Sequence, residues 1–267
     1  MIISIDSLAE YDDFISAVSK DSRLSDPHFA YDKGNLYDAF RKDQKVFASK
    51  QDDTVTGLFV WLVSDADRYA EMIIGLVQTK AAMREMLDYM EKKYPGYQAD
   101  FVINPQNDII RSVLDEKKAA FDTEQQRMLH NGKGRFNCDG CVEAYSPKWR
   151  EKYSSMHITD TYWTAEKVIS RPDLFRVLLA MENGEPVGYM DVTHCFDMNE
   201  PYSLYVKPEK ANRGYKRALL ESALAYNAPH TMTVMLNIDD PDEIRLFESA
   251  GFETVKGQNN IPATYTL

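Results

Sequence analysis

The sequence predicts two α/β domains in tandem, each a mixed, mostly antiparallel central sheet flanked by helices, and three observations carry this. β-rich runs alternate with helical stripes, the order of elements in the first half returns in the second, and several landmarks recur at a near-constant distance. Val46 and Val177, Gly57 and Gly188, and Phe121 and Phe252 each lie 131 positions apart; Val77 and Val206 lie 129 apart, and Asn104 and Asn237 133. Few identities accompany these landmarks, so the repeat is one of element order. The expected domains are 1–133 and 151–267, with 134–150, rich in glycine and polar residues, as a linker.

The first fifty residues read as helices, with Leu8, Tyr11, Phe14, Ile15 and Val18 on one face at spacings of three and four. Val46 to Ser64 then holds two β-rich runs around Gln51-Asp52-Asp53, a hairpin signal. A strand is expected over Met72 to Val77. The stripe Met83, Met86, Leu87, Met90 and Tyr94 predicts a helix that Pro95-Gly96 stops. Gln98 to Ile103 reads as a strand and Asn107 to Lys118 as a helix. In the second half, Phe175 to Met181 and Pro186 to Phe196 flank the turn Glu182-Asn183-Gly184-Glu185, and Tyr202 to Val206 is a short strand. A helix over Gly214 to Tyr226, a strand over Thr231 to Ile238 and a helix opened by Pro241 and closed by Gly251 complete the second copy.

Composition excludes several functions. Over 267 residues, 31 Lys and Arg stand against 42 Asp and Glu, a formal charge of −11. Nucleic-acid affinity rests on clustered cations, so no nucleic-acid partner is expected. No apolar run reaches the roughly 18–20 residues of a membrane helix, and no basic segment precedes an apolar core at the N-terminus. No membrane segment is expected, and the mature chain is expected to start at or near Met1. Three cysteines, Cys138, Cys141 and Cys195, suit a reducing cytoplasm better than a disulfide framework. Cys138 and Cys141 form a CxxC pair, but zinc needs four ligands and only His130 lies nearby, so no metal is expected and the pair reads as linker thiols. Tyr145, Trp149, Tyr153, Tyr162 and Trp163 read as core, or as one wall of a cleft.

Chemistry concentrates in KPEKANRGYKR, Lys207 to Arg217, where five cations accompany one anion. The segment joins a strand to a helix. Amides at a helix N-terminus bind anions, and Gly214 lets the backbone approach a phosphate closely, so the segment reads as a pyrophosphate cradle or as a basic turn that only caps the helix.

LYVKPEKANRGYKRALLESAL resembles the acyl-CoA signature of the GNAT superfamily of N-acyltransferases, in which a strand and an [RQ]-x-x-G-x-[GA] loop precede a helix. DPDEIRLFESAGFE is similar to that superfamily's later motif, and ENGEPVG lies upstream as its hairpin does. The resemblance covers Thr159 to Leu267 directly and the first half by repetition. It implies an acetyl-CoA-dependent N-acetyltransferase acting on a small amine or peptide, as a monomer or homodimer; the alternative is a non-catalytic acyl-CoA-binding or interaction protein of the same fold.

By the same resemblance, backbone groups of Leu204, Tyr205 and Val206 would bond the pantetheine arm. Arg213, Gly214, Tyr215, Lys216 and Arg217 would surround the pyrophosphate, with Asp240 and Phe247 beside the cofactor. Ala211 stands where the family prefers Arg or Gln, and Lys216 stands at its second glycine. Phe247 stands where many members have a tyrosine that protonates the departing thiolate, so another hydroxyl or water serves, or the site does not catalyse. Asp191, His194 and Glu200 are the candidate bases, and Tyr205 or Tyr202 the candidate acid. Asp191 and His194, three apart on a strand, are expected on opposite faces. The first copy is four residues shorter where the phosphate loop belongs, and QTKAAMREML has no glycine, so the N-terminal domain is expected to bind no CoA.

Overall fold

The computed structural model describes the chain except Asp43, Arg135, 137–139 and Asp160. Cys138, half of the CxxC pair, lies outside the described residues. The chain folds as two compact units, and neither is one continuous stretch. Unit 1 comprises Met1–Gln126, Asn237–Asp239 and Lys256–Leu267; unit 2 comprises Arg127–Leu236 and Asp240–Val255. The linear division at 133 and 151 therefore differs from the folded one at both ends.

Unit 1 is built on a seven-stranded sheet. Its strands are β1 (Ile2–Ser4), β2 (Lys45–Gln51), β3 (Thr54–Ser64), β4 (Tyr69–Val77), β5 (Gln98–Ile103), β6 (Ala120–Phe121) and the chain's last strand, β15 (Ile261–Thr266). They run in the order β1-β2-β3-β4-β5-β15-β6. Asp52 and Asp53 both take positive φ in the turn between β2 and β3. Asp tolerates that region, and two such residues give a hairpin turn whose twist suits the strands.

Successive side chains of a strand face opposite ways, so the sheet serves two cores. Phe47, Phe59, Trp61 and Phe101 pack under Met83, Met86, Leu87 and Met90 of α4 (Lys80–Lys93) and under Ile110, Val113 and Leu114 of α5 (Asp108–Glu116). Their neighbours Val46, Ala48, Leu58 and Val60 pack instead on Ile15 and Val18 of α1 (Asp12–Lys20), Phe29 of α2 (Pro27–Tyr31) and Leu36 of α3 (Gly34–Tyr37).

Unit 2 repeats the plan with its sheet parted in two. One part orders β12 (Pro201–Val206), β10 (Glu185–Thr193), β9 (Phe175–Glu182) and β8 (Val142–Ala144), all antiparallel. The other orders β11 (Met198–Asn199), β13 (Thr231–Asn237), β7 (Gln125–His130) and β14 (Glu253–Thr254). The Asn183-Gly184 turn between β9 and β10 again has positive φ at both residues. One face of the β8–β12 part packs on α8 (Tyr215–Asn227), through Leu219, Leu220, Ala223 and Leu224. The other packs on α6 (Arg150–Met156) and α7 (Ala165–Ile169). There Tyr153 is fully buried, and Tyr145, Trp149 and Trp163, partly buried, pack against the same cluster, so four of the five aromatics join the core. Tyr162 is exposed.

Two strands have changed places relative to the sequence repeat. β15 sits in unit 1 between β5 and β6, opposite residues of both. β7, which follows β6 directly in the chain, sits in the equivalent seat of unit 2, between β13 and β14. Each unit thus takes its penultimate seat from the other half of the sequence, which is why the folded division departs from the linear one.

Candidate functional site

In unit 2 the strand running toward the basic loop belongs to both parts of the sheet in turn. β11 pairs with β13 in parallel at Met198 and Asn199, and after Glu200 the chain leaves β13 and pairs with β10 as β12. Pro201, which has no amide hydrogen, opens β12 at this break. The buried Asn199 buttresses it, donating to Phe196 O and to Asn227 Oδ1, both at 2.8 Å, while Asn227 donates to the carbonyls of His230 and Thr231.

β12 is an edge strand of its part, so half of its backbone groups face away from β10. The Lys207 amide donates to Val187 O at 2.9 Å. Alternation along an antiparallel strand then turns the backbone groups of Ser203 and Tyr205 toward β10, and those of Leu204 and Val206 outward. A Cβ at Gly188 would lie 2.6 Å from the Tyr205 carbonyl oxygen, which fits that direction. Of the three pantetheine residues expected, Leu204 and Val206 present outward amides, whereas those of Tyr205 are directed at β10.

Behind β12 the basic segment forms a 3₁₀ turn, Pro208–Arg213, and Gly214 at φ +80° opens α8. No side chain caps the α8 amides among the described residues, and a Cβ at Gly214 would meet no atom within 4 Å. That open, uncapped N-terminus of a 13-residue helix fits a phosphate.

The charge of the loop, however, is largely answered from outside it. Glu182, in the β9–β10 turn, accepts from Arg213 Nη1 at 2.6 Å, from the Tyr215 hydroxyl at 3.0 Å and from Lys210 Nζ. Arg217 pairs with Glu221 at 2.7 Å, Lys207 Nζ donates to Pro186 O, and Lys216 pulls down the Glu243 carboxyl that burial pushes up. The excess counted within Lys207–Arg217 is thus a property of the segment and not of its surroundings. Asp240 caps α9 (Pro241–Ser249) by accepting from the Glu243 amide at 2.9 Å, a structural role that the resemblance did not imply. Phe247 is 1% exposed and packs edge-on to Phe252 in the core, so it presents no surface to a ligand.

The four candidate catalytic residues are not brought together. Asp191 is 0% exposed. Its Oδ1 accepts from the Tyr153 hydroxyl at 2.8 Å, and its Oδ2 lies 2.9 Å from His157 Nε2. The other ring nitrogen of His157 lies 2.7 Å from the Ile158 carbonyl. A carbonyl only accepts, so Nδ1 carries hydrogen, and the Nε2 to Oδ2 contact then needs one further proton on one side or the other. Burial, opposed by the His157 and Tyr153 hydrogen bonds, raises the Asp191 carboxyl; burial lowers His157, but its bonds to Asp191 and Ile158 outweigh this and leave it raised. The Ile158 amide donates to the Tyr189 hydroxyl, which lies 2.9 Å from Ser203 Oγ, so the network ends on β12.

His194 follows the end of β10, bonds Pro172 O through Nε2, and lines a cavity of about 320 Å³ with Tyr145, Phe175 and Arg176. Asp191 and His194 therefore differ in more than the strand face expected of them, because the strand has ended before His194. Tyr205 is half-buried against the Tyr189 ring. Glu200, also half-buried, is the one acidic candidate at the break itself, with its amide on Thr193 Oγ1 at 2.8 Å. Sequence reasoning missed His157, Tyr189, Ser203 and Asn199, and read Tyr153 only as a packing aromatic and Glu182 only as a turn residue; each is defined by partners distant in the chain. Among the described residues no group of three His, Cys, Asp or Glu is arranged to hold a metal ion, and no helix is long and apolar enough to cross a membrane.

The corresponding opening in unit 1 is filled from within. β4 pairs with β5 only from Tyr69 to Met72, and beyond that the strands part. There the Gly75 amide donates to Asp26 Oδ2 at 2.8 Å, and the Ile73 carbonyl lies 2.9 Å from His28 Nδ1. Asn104, just past β5, donates to the carbonyls of Ser22 and Ser25. The segment around Asp26, itself 3% exposed, thus takes the Gly75 amide, the counterpart at an offset of 129 of the outward Leu204 amide in unit 2.

A sheet parted between two parallel strands, with a glycine loop and a helix N-terminus at the parting, defines the GNAT class of fold. Residues 173–254 match the family model described as an acetyltransferase (GNAT) domain. The whole chain is similar in fold to a GCN5-related N-acetyltransferase from Sphaerobacter thermophilus, with a TM-score of 0.66, 10% identity, and 99% of this chain and 95% of that one covered. It is similar to a tandem GNAT protein from the clavulanic acid biosynthesis pathway, at TM-score 0.56 and 12% identity over 100% and 98% of the two chains. A further likeness is an acetyltransferase of the GNAT family from Colwellia psychrerythraea, at TM-score 0.51 and 12% identity over 100% of both chains. No curated protein matches the sequence. The chain is a tandem protein of GNAT fold, and the matched residues 173–254 lie almost wholly in unit 2.

Proposed function

We propose that the protein is an acetyl-CoA-dependent N-acyltransferase whose working site is the sheet break of unit 2. The observation that carries this is the convergence of the outward amides of Leu204 and Val206 with the uncapped N-terminus behind Gly214. Leu204 and Val206 would hold the pantetheine arm, and Gly214 to Arg217 the pyrophosphate. The thioester supplies an activated acyl group when bound. Glu200, at the break, takes the proton that the attacking amine must lose, directly or through one water. The Leu204 amide, the outward donor nearer the break, polarises the acyl carbonyl, as a preorganised N–H does at a developing oxyanion. With Phe247 in the core, the leaving thiolate draws its proton from water or from a tyrosine of β12, Tyr202 or Tyr205. Unit 1, its opening filled by Asp26 and His28, is proposed to bind no CoA and to serve as scaffold.

The burial of Phe247 favours a second reading, a non-catalytic acyl-CoA-binding protein. Calorimetric titration of CoA into the wild type and a Gly214→Glu variant tests the site: binding by the wild type and its loss in the variant are expected, and equal binding or none in either refutes it. Release of free thiol from acetyl-CoA against a panel of amines separates enzyme from binder.

A further inference from the structure

Three donors of the proposed phosphate loop, Lys210 Nζ, Arg213 Nη1 and the Tyr215 hydroxyl, converge on one carboxylate, Glu182. The three are not equivalent. The Lys210 and Glu182 side chains are 22% and 15% exposed, whereas that of Arg213 is 59% exposed. Lys210 and Glu182 therefore form a sheltered floor, and Arg213 rests on it from the solvent side. Arg213 also directly precedes Gly214, which opens the uncapped N-terminus of α8. A guanidinium fits a phosphate as readily as a carboxylate, with the same forked donors.

Resting on the reading of unit 2 as an acyl-CoA site, we propose that Glu182 is an internal counter-anion, from which phosphates of the incoming thioester draw Arg213, and that it thereby sets the affinity for phosphate-bearing acyl carriers. Hydrogen bonds from Lys210 and Tyr215, with the charges of Lys210 and Arg213, hold the Glu182 carboxyl below the usual carboxylate range, so it is ionised at neutral pH and competes at full charge. Lys210 stays on Glu182 and keeps the loop in shape while Arg213 changes partner. The asymmetry in exposure is what assigns the moving role to the arginine.

The test compares Glu182→Gln with the wild type, using CoA and, separately, pantetheine, which carries no phosphate. Gln keeps an acceptor for Lys210 but removes the competing charge. Exposed ion pairs have strengths that correspond to roughly two- to fivefold in binding, so Glu182→Gln is expected to bind CoA tighter by about that factor, with pantetheine unchanged. Equal or weaker CoA binding overturns the proposal, because a carboxylate that only shapes the loop weakens binding when removed. A matching gain for pantetheine also overturns it, since the effect would not lie at the phosphates. If neither protein binds CoA, the acyl-CoA reading itself fails and the proposal with it. Should the Gln variant not fold, Arg213→Met on the exposed side serves: weaker CoA binding with pantetheine unchanged is expected, and unchanged CoA binding refutes the exchange of partners.

Discussion

The carboxylate of Asp191 and the imidazole of His157 share a proton inside unit 2, in direct contact with the hydroxyl and ring of Tyr153, the carbonyl of Ile158 and the stacked ring of Tyr189. Such a pair titrates as one group. The raised value of His157 means that the folded chain keeps this proton at pH values where the unfolded imidazole, titrating near 6.5, has lost it. The associated stability is complete below about pH 6.5 and is lost as pH rises through the folded value. Each pH unit that separates the folded from the unfolded titration of such a group corresponds to about 1.4 kcal/mol, or roughly 3–6 °C in melting midpoint for a domain of this size. Melting followed from pH 6 to 9 is expected to show the midpoint falling in the wild type and a flatter profile in His157→Gln; the same slope in both would exclude the pair as its source. The sequence singled out Asp191 for its chemistry and its place on a strand. It could not show the partner, because His157 enters from another element, at the end of α6.

At the scale of elements, the hairpins were the most legible parts, since Asp52-Asp53 and Asn183-Gly184 carry their turn preference locally. The stop of α4 before Pro95 and the opening of α9 at Pro241 were legible for the same reason. The place of the loop between a strand and a helix was legible, but its charge was misjudged: Glu182 lies on another hairpin, and a count within a segment cannot include it. The break at Glu200 was not legible, because it consists in the pairing of β11 and β12 with different strands. If Glu200 acts there as the base, Glu200→Gln should lower kcat by about 10²–10⁴ while CoA affinity stays close to that of the wild type. Undiminished turnover would move the role elsewhere.

At the scale of the molecule, the repeat was legible as an order of elements, and the two units follow it. The change of seats was not, because the pattern of a single strand does not say which sheet it joins and only pairing tells. The exchange leads to a definite expectation for a chain lacking residues 261–267. Unit 1 loses the strand between β5 and β6, whereas the strands of unit 2 remain. Hydrogen exchange should quicken at Gln98–Ile103, which β15 covers, and stay slow in β9 and β10. Uniform loss of protection across both units would show that they unfold as one body.

The same feature sets a calendar for the chain as it leaves the ribosome. Unit 2 has its last strand when Thr254 emerges, but unit 1 waits for Thr266 to come opposite Gln98. The half that is synthesised first is therefore completed last. Pairings so distant in sequence form slowly, so until then the flanks of β5 and β6 stand open as unpaired edges.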